Sequence, residues 1–87
     1  MHEAHLLDDL LAKIEAVAAT ENARRVVAVT VWLGALSHFT AEHFREHFDD
    51  AVRDTIAVGA KLEVIVSGDI HAPNATGIVL KDIEVEP

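Results

Sequence analysis

Residues 25–48 read RVVAVTVWLGALSHFTAEHFREHF, a valine-rich run followed by a turn and a segment that carries two phenylalanines four residues apart. Valine is favoured in extended structure, so the run predicts a strand over residues 25–33 that ends at Gly34. Successive side chains of a strand point to opposite faces. We expect the core face to be formed by Val27, Val29, Val31 and Leu33, with Trp32 on the other face.

The second half of this stretch predicts a helix with one buried side. Thr40 is a good N-cap residue, because its hydroxyl can accept a hydrogen bond from a free amide of the first turn. Phe39 and Phe44 have the spacing of a hydrophobic staple around that cap. The residues expected on the buried side are Phe44, Phe48, Ala51, Val52 and Ile56, and Gly59 is expected in the turn that follows.

The flanking sequence completes the fold. Apolar residues three or four apart predict a helix over residues 3–21, with Asn22 suited to its end. Strands are expected over residues 61–66 and 78–86, with a loop between them at residues 67–77. The apolar alternation of the last strand changes parity, which predicts a bulge near Lys81 and Asp82.

The element order α-β-α-β-β predicts an α+β fold in which two helices pack on one face of a three-stranded sheet. We expect the last two strands to form a hairpin. At 87 residues, of which 51% are hydrophobic, the chain is expected to form a single domain, residues 1–87.

Charge and cysteine content exclude several functions. Seven Lys and Arg against fifteen Asp and Glu give a formal net charge of −8, which disfavours nucleic acid and anionic membranes as partners. The absence of cysteine excludes thiolate zinc sites, disulfides and cysteine nucleophiles. No spacing of residues assembles an enzyme site, and no targeting segment is visible, so we expect a cytoplasmic protein that is not an enzyme.

The amino-terminal residues Met1 and His2 could form a compact metal chelate. The terminal amine, the deprotonated backbone nitrogen of His2 and the His2 imidazole can occupy three corners of a square plane. This geometry suits Ni(II) or Cu(II) and not Zn(II). The alternative is a histidine that has no ligand role near a frayed chain end.

The other histidines are weaker candidates. His43 and His47 stand four residues apart, which places both imidazoles on one helix face as a metal pair or as part of a solvated surface. His38 lies before Thr40 and could supply a fourth nickel ligand if its loop folds near the amino terminus. His5 and His71 are further possible ligands.

Across most of its length the chain resembles the HypA/HybF hydrogenase nickel-incorporation proteins. The resemblance rests on Met1-His2-Glu3, on residues 25–48, on TIAVGAKLEV at residues 55–64 and on GIVLKDIEVE at residues 77–86. It implies a nickel metallochaperone for the large subunit of [NiFe]-hydrogenase, and in some organisms for urease, that works with the GTPase HypB.

The resemblance also implies a ligand set and a departure from the family pattern. Met1, His2 and Glu3 match the nickel site of the family, while Thr40 stands where some members have an acidic ligand, so His38 could substitute. The family inserts a zinc domain with two Cys-x-x-Cys pairs between the last two strands, where residues 67–77 form a short loop. We therefore expect Ni(II) without structural zinc. The alternative function is a metal-independent interaction module that docks a partner or forms a homo-oligomer.

Overall fold

The computed structural model describes residues 2–87, with side chains from residue 5 onward. Its elements confirm the α+β order predicted from the sequence. They are α1 (His2–Thr20), β1 (Arg25–Leu33), α2 (Ala41–Ala51), β2 (Lys61–Val66) and β3 (Ile78–Glu86).

Helix α1 buries one apolar stripe and ends at a left-handed residue. The buried side chains of the stripe are Leu7, Leu10, Ile14 and Ala18. Asn22 has φ 53°, and the next amide, of Ala23, donates to the Ala18 carbonyl at 2.9 Å. This C-terminal closure is the one expected where a helix stops at an asparagine.

The sheet has the order β2-β1-β3, with β1 parallel to β2 and antiparallel to β3. The predicted hairpin of the last two strands is therefore wrong. Helix α2 is the crossover that returns the chain for parallel pairing on one edge of β1. The loop after β2 then passes the end of β1, where Ser67 N–H donates to the Leu33 carbonyl and Gly34 N–H donates to the Gly77 carbonyl, both at 2.9 Å. This path delivers β3 to the opposite edge.

Two bulges adjust which side chains face the helices. In the pairing of β1 with β3, Val27 is the extra residue on β1 and Lys81 the extra residue on β3. The second bulge confirms the one predicted near residues 81–82. The bulge at Val27 makes the predicted core face wrong at one position. Val27, predicted to face the core, is only half-buried, whereas Val26 is fully buried.

Helix α2 provides the largest buried side chains. Phe44 and Phe48 are fully buried, and burial of each contributes roughly 1.5–3 kcal/mol. The predicted staple is present, with the rings of Phe39 and Phe44 in an edge contact at 5.4 Å. Ile56 is 41% exposed, so its predicted place in the stripe is wrong, because α2 ends at Ala51 and the chain turns away.

Both helices contribute to one core with the sheet, α1 contacting β3 and α2 contacting β2. The opposite face of the sheet carries mixed charge around a shallow depression lined by Thr30, Lys61, Glu63, Asp82 and Glu84, among others. Within residues 2–87, neither helix combines the length and the apolar character that a bilayer crossing requires.

Candidate metal site

The turn after β1 packs closely against the loop before β3 and is hydrogen-bonded to it. Leu36 N–H donates to the Ala75 carbonyl at 2.7 Å. Next to this bond the backbone of Gly34 lies so close to the loop that a Cβ atom there would be 2.2 Å from the Ala75 carbonyl oxygen. Only glycine allows such an approach of two backbones. This backbone contact of Gly34 and Leu36 with Ala75, called the seam below, therefore fixes the turn in position beside α1.

A surface cavity of about 330 Å³ opens where this turn meets the start of α1. It is lined by His5 and Leu6 of α1, by Leu36, Ser37 and His38 of the turn, and by Thr76 of the loop before β3. The fold thus brings His5 and His38 to one cavity, although they are 33 positions apart in the printed sequence. His38 shares a cavity with His5 and Leu6 near the start of α1, and its role as a ligand stays a prediction.

Two features of the turn are unusual for a plain connection. His38 has φ 68°, in the left-handed region that residues other than glycine rarely adopt. Ser37 is buried, and its Oγ has no hydrogen-bond partner among the atoms that the structure describes. Strained backbone and unsatisfied buried polar atoms are found preferentially at functional sites. Both features line the same cavity.

The principal predicted ligands lie at or beyond the limit of the described residues. Met1 lies outside them, and the side chains of His2 and Glu3 do as well. The backbone of α1 begins at His2. The first amide groups of a helix have no acceptor within it, so the amides of this first turn are not committed to helical hydrogen bonds.

Thr40 acts as the N-cap of α2. Its hydroxyl accepts a hydrogen bond from His43 N–H at 3.1 Å, and its backbone is extended, with φ −88° and ψ 160°. The predicted capping role is confirmed. The hydroxyl is engaged at the end of the helix and is not directed to the cavity beside α1.

The remaining histidines are separate from that cavity. His43 and His47 are exposed on α2 with their rings stacked at 4.5 Å. His71 is exposed in the loop before β3, where its backbone N–H donates to the Asp69 carboxylate at 2.9 Å. Among the residues whose side chains the structure describes, no three His, Asp or Glu converge on a point that could hold a metal ion.

Sequence reasoning missed the cavity and the buried Ser37 hydroxyl that lines it. The cavity depends on the approach of Gly34 to Ala75, two residues more than 40 positions apart in the printed sequence. Gly34, directly after the predicted strand, indicates a turn, but the sequence does not indicate which segment that turn packs against.

Comparison with known proteins identifies the family to which the chain is similar. A family model described as "Hydrogenase/urease nickel incorporation, metallochaperone, hypA" matches residues 1–71. The hydrogenase maturation factor HypA of Methylocella silvestris is 39% identical over 70 residues, which is 79% of this chain and 62% of that protein. The hydrogenase maturation factor HypA of Rhodopseudomonas palustris strain BisA53 is 37% identical over 65 residues, covering 75% of this chain and 58% of that protein. The chain thus spans about three fifths of the length of these relatives.

A solved structure has the same fold. The solution structure of the Ni metallochaperone HypA from Helicobacter pylori matches with a TM-score of 0.78 and 16% sequence identity, covering 99% of this chain and 98% of that one. At this identity the likeness establishes the architecture alone. The matched family, in contrast, takes in the amino-terminal segment, α1, β1, the turn at the cavity, α2 and β2, and on this basis the chain belongs to the HypA family.

Proposed function

We propose that this chain binds nickel and hands it over during the maturation of a metalloenzyme of the hydrogenase type. The observation that carries the proposal is the family match over residues 1–71, which includes the histidine-bearing amino-terminal segment. Nickel is the cargo, and the chain is a cytoplasmic accessory protein and not an enzyme. Residues 1–87 act as one nickel-binding domain, in which loop 67–77, which has no cysteine, replaces a zinc domain.

Capture of nickel uses the nitrogen atoms at the start of α1. The Met1 amine, the His2 backbone nitrogen and the His2 imidazole form the planar array, and Glu3 supplies a backbone nitrogen or a nearby charge. Nitrogen donors in a square plane suit Ni(II). The start of α1 at His2 supports this chelate, because deprotonating amides of the first turn breaks no helical hydrogen bond.

His38 is the candidate for the fourth ligand. Its imidazole is exposed, and it lines one cavity together with His5, which lies three residues after His2 on α1. Residues three apart on a helix lie on one face. This shared cavity supports an approach of His38 to the amino-terminal nitrogens.

Release of nickel proceeds by ligand exchange at the fourth position. A partner that supplies a stronger ligand there displaces His38 and draws the ion away from the chelate. The proposed partners are a HypB-like GTPase and the large subunit of a hydrogenase. The net charge of −8 favours the approach of the divalent cation to the carrier.

Calorimetric titration with Ni(II) of protein that starts at Met1 tests the proposal. We expect one tightly bound ion, whose affinity is lower by roughly 100-fold in His2→Ala, since loss of even an outer-shell partner of a metal costs 10–100-fold. An extension before Met1 should weaken binding as strongly, because it removes the primary amine. His71→Ala is the matched control and should leave the isotherm unchanged. Indistinguishable isotherms for the wild type and His2→Ala would refute the nickel chelate.

A second candidate function is a metal-independent interaction module, which also accommodates a homo-oligomer. It is supported by exposed apolar side chains at and beyond the end of β2, with Ile65 43%, Val66 54% and Ile70 55% exposed. Exposed apolar residues beside a free strand edge favour contact with another chain. Absence of nickel binding, together with concentration-dependent self-association in sedimentation, would favour this candidate.

A further inference from the structure

Helix α2 displays a histidine pair to which the proposed nickel chelate assigns no role. His43 and His47 are both exposed, and their rings lie nearly parallel, with centroids 4.5 Å apart and 13° between the planes. Phe39 contacts the His43 ring edge-on at 5.8 Å.

The spacing of the pair along α2 places both imidazoles on one helix face, within reach of a single ion. Zinc binds imidazole nitrogen at about 2.0–2.1 Å in a tetrahedral array, so two such nitrogens lie roughly 3.3 Å apart. The ring centroids of His43 and His47 lie 4.5 Å apart with nearly parallel planes, so the rings have to tilt until one nitrogen of each points at the ion. Rotation about the side-chain bonds of exposed residues provides that movement without disturbing the helix.

The charge of the helix surface favours a cation. Residues 41–51 include four carboxylates and a single basic residue. That basic residue, Arg45, is directed to the carbonyl oxygen of Leu62 at 2.7 Å and so away from the histidines. Glu46 and Asp50 flank His47 around one surface recess. An ion at the pair therefore lies in a field of net negative charge.

We propose that His43 and His47 form a second, exchangeable site for a divalent transition metal, in which two imidazoles bind the ion and water completes its coordination. The site differs from the proposed nickel chelate in every ligand and in geometry. It accepts ions that favour tetrahedral or octahedral coordination, such as Zn(II), whereas a square plane of nitrogens disfavours Zn(II). The pair would hold metal on the protein surface, from which it exchanges rapidly.

Zn(II) titration of protein with a short extension before Met1 tests the pair, because the extension removes the amine of the proposed nickel site. We expect one equivalent of Zn(II) to bind, with an affinity at least about tenfold lower in His43→Ala and in His47→Ala. The double variant should have about the same affinity for Zn(II) as either single variant, because a single imidazole forms no chelate and the first substitution already removes it. Alanine is favourable in helices, so these exposed substitutions should keep the fold, which circular dichroism checks.

The matched control is His71→Ala, which removes one exposed imidazole outside α2 and outside the cavity beside α1. It should bind Zn(II) as the parent protein does. Equal affinity in the parent and in His47→Ala, or equal losses in His43→Ala, His47→Ala and His71→Ala, would overturn the proposal. Neither result depends on Ni(II) binding at the amino terminus, so the two metal proposals can fail separately.

Discussion

The contact between Gly34 and the loop before β3 yields a sharp prediction for Gly34→Ala. The added Cβ would lie 2.2 Å from the Ala75 carbonyl oxygen and 2.5 Å from the Asn74 carbonyl oxygen. Both obstacles are backbone atoms, so no side-chain rotation relieves the overlap. The loop must retreat, or the turn after β1 must shift.

The size of the effect follows from these distances. A carbon atom approaches a carbonyl oxygen to about 3.3 Å, so the Ala75 carbonyl must withdraw by roughly 1 Å. That carbonyl accepts the Leu36 N–H at 2.7 Å, and the withdrawal breaks or weakens this bond. Overpacking costs about 1–3 kcal/mol and a lost hydrogen bond about 1 kcal/mol. We therefore expect the free energy of unfolding to fall by roughly 2–4 kcal/mol.

Urea unfolding followed by circular dichroism measures this loss. With a slope of about 1.5 kcal/mol per molar urea, a loss of 3 kcal/mol lowers the midpoint by about 2 M. Gly68→Ala is the matched control, because a Cβ at Gly68 meets no atom within 4 Å. Its midpoint should change by less than about 0.5 M. Equal midpoints for the two alanine variants would refute the tight seam, as would unchanged hydrogen exchange at the Leu36 amide in Gly34→Ala.

Two further predictions concern α2. Thr40→Ala removes the acceptor of the His43 N–H and should cost about 1 kcal/mol, whereas Thr40→Ser retains the hydroxyl and should cost less than half as much in the same urea assay. Arg45→Ala removes the side chain that donates to the Leu62 carbonyl on the free edge of β2, so we expect increased self-association in sedimentation. Arg53 lies beyond α2 in an exposed ion pair, so Arg53→Ala is the control and should associate as the wild type does.

The elements of the fold could be predicted because each carries a local signal. The valines of β1, the threonine cap with its staple of Phe39 and Phe44, and the parity change near Lys81 each fix a feature within a few residues. All are present in the structure. Strand pairing has no such local signal. Since β2 and β3 both pair with β1, their placement depends on the crossover through α2 and on the path of loop 67–77.

The change of face at Val26 and Val27 could not be found by the same reasoning. Both residues are valine, so the sequence pattern is the same whichever of them points to the core. The bulge arises from the pairing between β1 and β3, in which Val27 has no partner residue on β3. As a result Val26, and not Val27, faces the core. Alternation detects a bulge only where an apolar residue and a polar residue exchange places, as they do near Lys81.

The candidate site divides in the same way between local and long-range features. The chelate of Met1 and His2 is local, since adjacent residues supply all of its nitrogens, and it stays a prediction. The grouping of His38 with His5 at one cavity is long-range and required the fold. No spacing in the sequence relates these two histidines, because the turn that carries His38 is positioned by its contact with Ala75.

This contact gives loop 67–77 a structural role beyond joining two strands. Its two ends are bonded to the end of β1, through Ser67 to Leu33 and through Gly77 to Gly34. Between them, Ala75 is buried and Thr76 forms part of the cavity wall. Because the loop supplies both the seam and the wall, a change of its length near Ala75 should alter the cavity, whereas a change near the exposed Gly68 should not. The segment that departs most from the family resemblance is therefore coupled, through backbone contacts, to the end of α1 at which nickel is proposed to bind.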